Sequence, residues 1–205
     1  MEEVKVYRYR WIELILFMIV NIIIQILWIS FATVTNAAEL FYNVDEMSIY
    51  LLSMVFMIVY IPITFLASWI LEKYDFKFGT VIGALFTGIF GFLRIFTAAN
   101  YILVLIFQIG IAIGQPFLLN SITKLSANWF AKDERTTAAG IALMAVFFGT
   151  ALGLFITPMI VGGINLLEIL NNLTHFQTML IFYGLLSLIS CIIYRINHHL
   201  HQQEI

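Results

Sequence analysis

This sequence has one cysteine, Cys191, so no internal disulfide can form, and its apolar surroundings mark it as a small core residue. Charge is scarce: 11% of residues carry it, and the formal net charge is −2. That balance excludes an electrostatic grip on nucleic acid. No Ser/His/Asp set falls on facing segments, and there is no cysteine pair and no HExxH. Covalent or metal-assisted catalysis is therefore not expected, and neither is a cofactor. No carboxylate lies deep in an apolar run; Glu13, near the start of the first, is expected at an interface. Histidines gather only in the C-terminal run His198, His199 and His201, which reads as a solvated tail. His175 stands at the edge of the last apolar run.

What the chain does have is apolar length. Of its 205 residues, 62% are hydrophobic, and the mean hydropathy is +0.99. Six continuous apolar runs stand out, over residues 11–37, 47–71, 78–98, 101–125, 137–161 and 176–194. At about 1.5 Å per residue each is long enough to cross a hydrocarbon core of about 30 Å as a helix. Continuous runs, without the alternation of a barrel strand, favour helices. The expected fold is an all-α membrane protein, one six-transmembrane-helix bundle over residues 1–205. The charged start MEEVKVYRYR is followed by a run with no small-residue cleavage site, so the first span reads as retained.

An even number of spans puts both termini on one side. Lys5, Arg8, Arg10, Lys73, Lys77, Lys124, Lys132, Arg135 and Arg195 share that side, leaving only Arg94 of the ten basic residues near the other. The positive-inside rule makes the shared side, and both termini, cytoplasmic. Glu39, Asp45, Glu46 and Glu168 face the other way.

Polar residues at membrane depth are costly and usually face a bundle interior or a water-filled path. The first span places Asn21, Gln25, Trp28, Ala32 and Asn36 on one helical face. Such a stripe serves either a solute pathway or hydrogen bonding between helices. The second span aligns Ser53, Met57, Tyr60, Thr64 and Ser68, and its Pro62 bends the helix. The fourth carries Gln108 and Gln115, with Pro116 beside the latter and Gly110 and Gly114 on a neighbouring strip. The fifth runs Ala145, Gly149, Gly153 and Thr157 into Pro158, a pattern open to tight packing and to a gating hinge. All three prolines lie inside spans, which suits a protein that changes shape.

The loop after the second span, Ser68-Trp69-Ile70-Leu71-Glu72-Lys73-Tyr74-Asp75-Phe76-Lys77, resembles the Gly-x-x-x-Asp-Arg-x-Gly-x-Arg signature of the major facilitator superfamily. Glu72, Lys73 and Lys77 hold its charged positions, while Ser68 and Asp75 replace its glycines. Gln115-Pro116-Phe117, Asn120, Lys124, Trp129-Phe130 and Glu134-Arg135 resemble the same superfamily, and within it the feline leukaemia virus subgroup C receptor-related transporters. Arg10-Trp11, Trp28-Ile29, Asn36, Leu52-Ser53-Met54 and Tyr60-Ile61-Pro62 agree, so the resemblance covers about residues 10–162.

The resemblance implies a secondary transporter working by alternating access on a choline-like or ethanolamine-like solute. It assigns an aromatic on span 1 and a glutamine on span 4, here Trp28 and Gln115, to the cation; Asn21, Gln25, Tyr60 and Gln108 complete the expected solute-facing set. It gives Glu72, Lys73, Lys77 and Arg135 to conformational loop contacts; in the family the acid contacts the other half, and within this chain Arg135 is the expected substitute partner of Glu72. Lys124 is expected to reach toward lipid headgroups. Superfamily members have about twelve spans in two six-span halves, each an inverted 3+3 repeat. This chain therefore reads as the N-terminal half, with a second six-helix half expected as a separate chain, a missing C-terminal portion or a second copy. The lipid bilayer and a small solute are the other expected partners, and the plasma membrane the expected location. The alternative is a membrane interaction or assembly subunit that does not itself transport.

Overall fold

A computed structural model describes residues 9–74, 76–162 and 175–200, the last four for backbone alone. Lys5, Arg8, Asp75, Glu168 and His201, and the side chains of His198 and His199, lie outside the described residues. Among the described residues seven α-helices follow one another: α1 Arg10–Ile29, α2 Thr35–Tyr42, α3 Glu46–Lys73, α4 Phe76–Leu93, α5 Tyr101–Trp129, α6 Arg135–Val161 and α7 His175–Leu200. A 3-10 turn, Arg94–Thr97, extends α4. Six of these segments are long and apolar enough to cross a membrane; the short α2 is the exception. Their order matches the six apolar runs, and no strand occurs among the described residues.

Helix pairing follows a repeat. Span 1 (α1) packs along span 5 (α6), and span 4 (α5) packs along span 2 (α3). Span 3 (α4) lies between span 4 (α5) and span 6 (α7), while span 6 also meets span 1. Exchanging spans 1–3 with spans 4–6 leaves this pairing unchanged. Three crossings per repeat make the second repeat enter from the opposite side, which is the inverted arrangement. Small residues permit the closest approaches. A methyl group on Gly149 of α6 would fall 2.6 Å from the Ile22 carbonyl oxygen of α1. One on Gly114 of α5 would fall 2.8 Å from the Gly83 carbonyl oxygen of α4. Between apolar helices in lipid, such contact is the main source of association.

The expected first span does not run unbroken to residue 37. It stops at Ile29, and residues 30–34 turn before α2 begins. Local competition for carbonyls contributes to the stop. The hydroxyls of Ser30, Thr33 and Thr35 donate to the carbonyls of Leu27, Ser30 and Ala32, each three residues back. Hydroxyls so placed offer the backbone an alternative to the helical ladder. The stripe of α1 therefore ends at Trp28; Ala32 lies in the turn and Asn36, in α2, is exposed.

Candidate functional site

The break frees the carbonyls at the end of α1, which a continuous helix would pair with amides four residues on. The Trp28 carbonyl accepts from the Ser53 hydroxyl of α3 at 3.3 Å, and the Trp28 indole N–H donates to the Ser53 carbonyl at 3.2 Å. This reciprocal pair fixes the indole against α3. Beside it lies a cavity of about 350 Å³ lined by Trp28, Phe56, Met57, Tyr60, Ile61 and Gln115. Its wall is aromatic and apolar apart from the Tyr60 hydroxyl and the Gln115 carboxamide. Gln115 is only 8% exposed, and its side chain makes no hydrogen bond to another described residue. Pro116 follows it and removes the amide that would otherwise bond to the Ala112 carbonyl, loosening α5 at that level.

Chemically, an indole face attracts a cation, most strongly where water is excluded. A carboxamide with neither oxygen nor nitrogen engaged can accept from, or donate to, a hydroxyl or amine. The cavity thus suits a small organic cation with one polar arm.

The other expected contacts lie elsewhere. Asn21 is fully buried and donates to the Phe17 carbonyl of its own helix at 3.0 Å, its oxygen unpartnered. Gln25 is buried with its amide nitrogen unpartnered. Gln108 is 0% exposed and donates to the Leu27 carbonyl at 3.4 Å. None of the three lines the cavity. Tyr60 belongs both to the cavity and to a polar zipper. Its hydroxyl donates to the Asn120 oxygen at 3.4 Å, while the Asn120 amide donates to the hydroxyls of Thr64 (2.9 Å) and Ser68 (3.1 Å). Most of the α3 stripe is therefore interhelical bonding to α5.

The loop residues on the basic side separate in the same way. The expected Glu72–Arg135 pair is absent. Glu72 is exposed, and Arg135 turns back to donate to the Phe130 carbonyl at 3.2 Å. The ion pair formed instead joins Arg10 to Glu134 at 2.8 Å, with Arg10 also set against the rings of Trp11 and Phe130. Lys73 lies 4.6 Å from the Trp69 ring centre, and Lys77 5.2 Å from that of Trp129. Lys124 donates to the Leu71 carbonyl at 2.6 Å, so it caps the end of α3 from α5 where a headgroup contact was expected. Glu13, in the first turn of α1, is turned into the bundle: it is 3% exposed and accepts from the Tyr194 hydroxyl of α7 at 3.2 Å.

On the opposite side of the bundle, the Ser48 hydroxyl donates to Asp45 and holds that carboxyl below the usual range. Among the described residues no three His, Cys, Asp or Glu side chains gather closely enough to hold a metal ion. The residue to which the sequence assigned no role is Arg94, 1% exposed at the start of the 3-10 turn that extends α4. A basic residue inside an apolar run is a functional candidate by default, and Arg94 is the one that leaves the basic face.

Six membrane-length helices, paired as two three-helix repeats, with a mainly aromatic and apolar cavity between α1, α3 and α5, define a multi-pass membrane protein with the fold of a transporter half. The sequence profile of the Major Facilitator Superfamily matches residues 13–203, and the chain belongs to that family. It is similar to the choline/ethanolamine transporter flvcr2b of Danio rerio, 27% identical over 168 residues that cover 81% of this chain and 35% of that one. The choline/ethanolamine transporter FLVCR2 of Homo sapiens is 25% identical over 164 residues, covering 79% of this chain and 31% of that one. The chain thus spans about a third of the length of the curated relatives it matches. Among solved structures, a bacterial homolog of the human lysosomal transporter Spinster, inward-facing and unoccupied, superposes with a TM-score of 0.73 at 17% identity. That match covers 92% of this chain and 43% of the other.

Proposed function

We propose that this chain forms the N-terminal six-helix half of a secondary transporter that moves a choline-like amine by alternating access. The observation that carries this reading is the cavity in which the Trp28 indole stands beside the unengaged Gln115 carboxamide. The indole takes the quaternary ammonium and the carboxamide takes the hydroxyl. Similarity to transporters named for choline and ethanolamine supports the same solute class. A second six-helix half closes the cavity from the other side, as the 43% coverage of the Spinster homolog's chain supports. The nine-residue basic face is then cytoplasmic and the membrane is the plasma membrane.

The test is binding and uptake of labelled choline by the purified protein in vesicles, alone and with its second half. Trp28→Ala removes the cation–π contact, worth up to about 2 kcal/mol when desolvated, so affinity for choline and for tetramethylammonium falls roughly thirtyfold. Unchanged affinity for both removes Trp28 from the site. Stable association with an unrelated membrane complex, without uptake of any organic cation, favours the assembly-subunit reading.

A further inference from the structure

Arg94 reaches across the bundle to the broken end of α1. One terminal nitrogen donates to the Leu27 carbonyl at 3.4 Å and the other to the Ser30 hydroxyl at 3.2 Å. The guanidinium carbon lies 4.4 Å from the centre of the Phe31 ring. Three contacts thus fall on residues 27, 30 and 31, which straddle the last helical residue, Ile29. Gln108 adds a second interhelical donor to the same Leu27 carbonyl, and Ser30 an intrahelical one at 3.0 Å. A carbonyl that accepts three side-chain donors has little need of the Phe31 amide.

The consequence reaches Trp28, the next residue. While the helix stops at Ile29, the Trp28 carbonyl is free to accept the Ser53 hydroxyl, and the indole returns a bond to the Ser53 carbonyl. If α1 continued, the Ala32 amide would compete for the Trp28 carbonyl. The sequence around the break is apolar enough to be helical, so the break has to be held. We propose that Arg94, with Gln108 as its auxiliary, is the positioning residue that holds the break and thereby sets the Trp28 indole against the solute cavity. The proposal rests on Trp28 being a solute contact, but its structural half stands apart from any solute. Among the described residues no carboxylate contacts this buried cation: its terminal nitrogens meet a carbonyl and a hydroxyl and its face meets a ring, while its Nε has no partner.

The experiment labels the protein with fluorotryptophan and reads fluorine NMR. Four tryptophans give four resonances, and Trp28→Phe identifies the one that matters. In Arg94→Met the Trp28 resonance moves while those of Trp11, Trp69 and Trp129 stay. Choline affinity falls roughly tenfold, the scale of losing a charge-assisted hydrogen bond. Thermal stability does not fall with it, because a buried ion replaced by an apolar side chain of similar volume is often neutral or stabilising. Arg94→Lys, which keeps a donor for Leu27 but cannot grip two sites, gives an intermediate shift. Should Arg94→Met not fold, Gln108→Leu moves the same resonance in the same direction. An unmoved Trp28 resonance in the folded variants overturns the proposal, as does a shift shared by all four resonances with a lowered melting temperature. If the wild type binds no quaternary amine, the functional reading fails and the resonance still decides the positioning role.

Discussion

Gln108 and Gln115 lie on the same helix, α5, two turns or about 10 Å apart. Both are buried, and both read from the sequence as solute contacts. The structure gives them opposite surroundings. Gln108 faces the interior of the bundle, where the broken end of α1 presents the Leu27 carbonyl and consumes its amide. Gln115 faces the cavity beside Trp28, where no described residue answers it. The lesson is that a polar residue at membrane depth is costly wherever it is, but what offsets the cost differs. At position 108 a neighbour's backbone takes the amide, although the carboxamide oxygen stays buried without a described partner; at position 115 the whole carboxamide is left to water or a ligand.

That contrast can be broken most directly at Gln115. Replacing it with leucine takes away the partner of the solute hydroxyl and leaves the aromatic wall. Choline binding should weaken about tenfold, a hydrogen bond to a polar ligand group. Tetramethylammonium has no hydroxyl, so its affinity should stay as it was. Equal losses for the two ligands would mean that Gln115 shapes the cavity without touching the polar arm. Gln108→Leu is the smaller and differently shaped perturbation. It acts only through the position of Trp28, so both ligands should lose affinity by the same modest factor, roughly two- to threefold for a long hydrogen bond with two other donors remaining. Selectivity between choline and tetramethylammonium, measured by competition binding, therefore separates the two glutamines even where their absolute effects overlap.

Much of the fold was legible because it depends on run length. Each apolar stretch long enough to span became a helix, and the resemblance in the loops pointed to the family that the profile match establishes. The helical face of Asn21, Gln25 and Trp28 was also readable. What could not be read was which neighbour each member meets. Trp28 sits at the cavity because α1 stops one residue later, and that stop depends on Ser30 together with a side chain 64 positions away. Hydroxyls inside an apolar run are tolerated in membrane helices, so Ser30, Thr33 and Thr35 did not announce a break. Arg94 did announce itself, as the basic residue on the wrong face, but its target was invisible until α4 was laid against α1. Glu72 and Arg135 failed as a pair for a related reason. Their spacing to the helix ends was right, yet Arg135 is satisfied within its own loop by the Phe130 carbonyl and Arg10 takes the neighbouring Glu134.

The smallest expected effect is that of pH, and it sharpens the contrast between the cavity and the far end of the bundle. Neither an indole nor a carboxamide ionises, and a quaternary ammonium has no proton to lose, so choline binding to Trp28 and Gln115 should be flat across the neutral range. The Asp45 carboxyl, at the end of the bundle away from the basic loops, does titrate. The hydrogen bond from Ser48 lowers its folded-state value below the unfolded one. The stabilisation it contributes is therefore present above the ordinary carboxylate range and is lost as pH falls through the lowered value. Because Asp45 is fully exposed, that loss should appear as a slight drop in melting temperature in acid and vanish in Asp45→Asn. A choline affinity that instead rises or falls through neutrality, in the wild type and in Asp45→Asn alike, would place an ionising group at the cavity. Among the six lining residues only the Tyr60 phenol carries such a group, so the proposed second half is the next place to look.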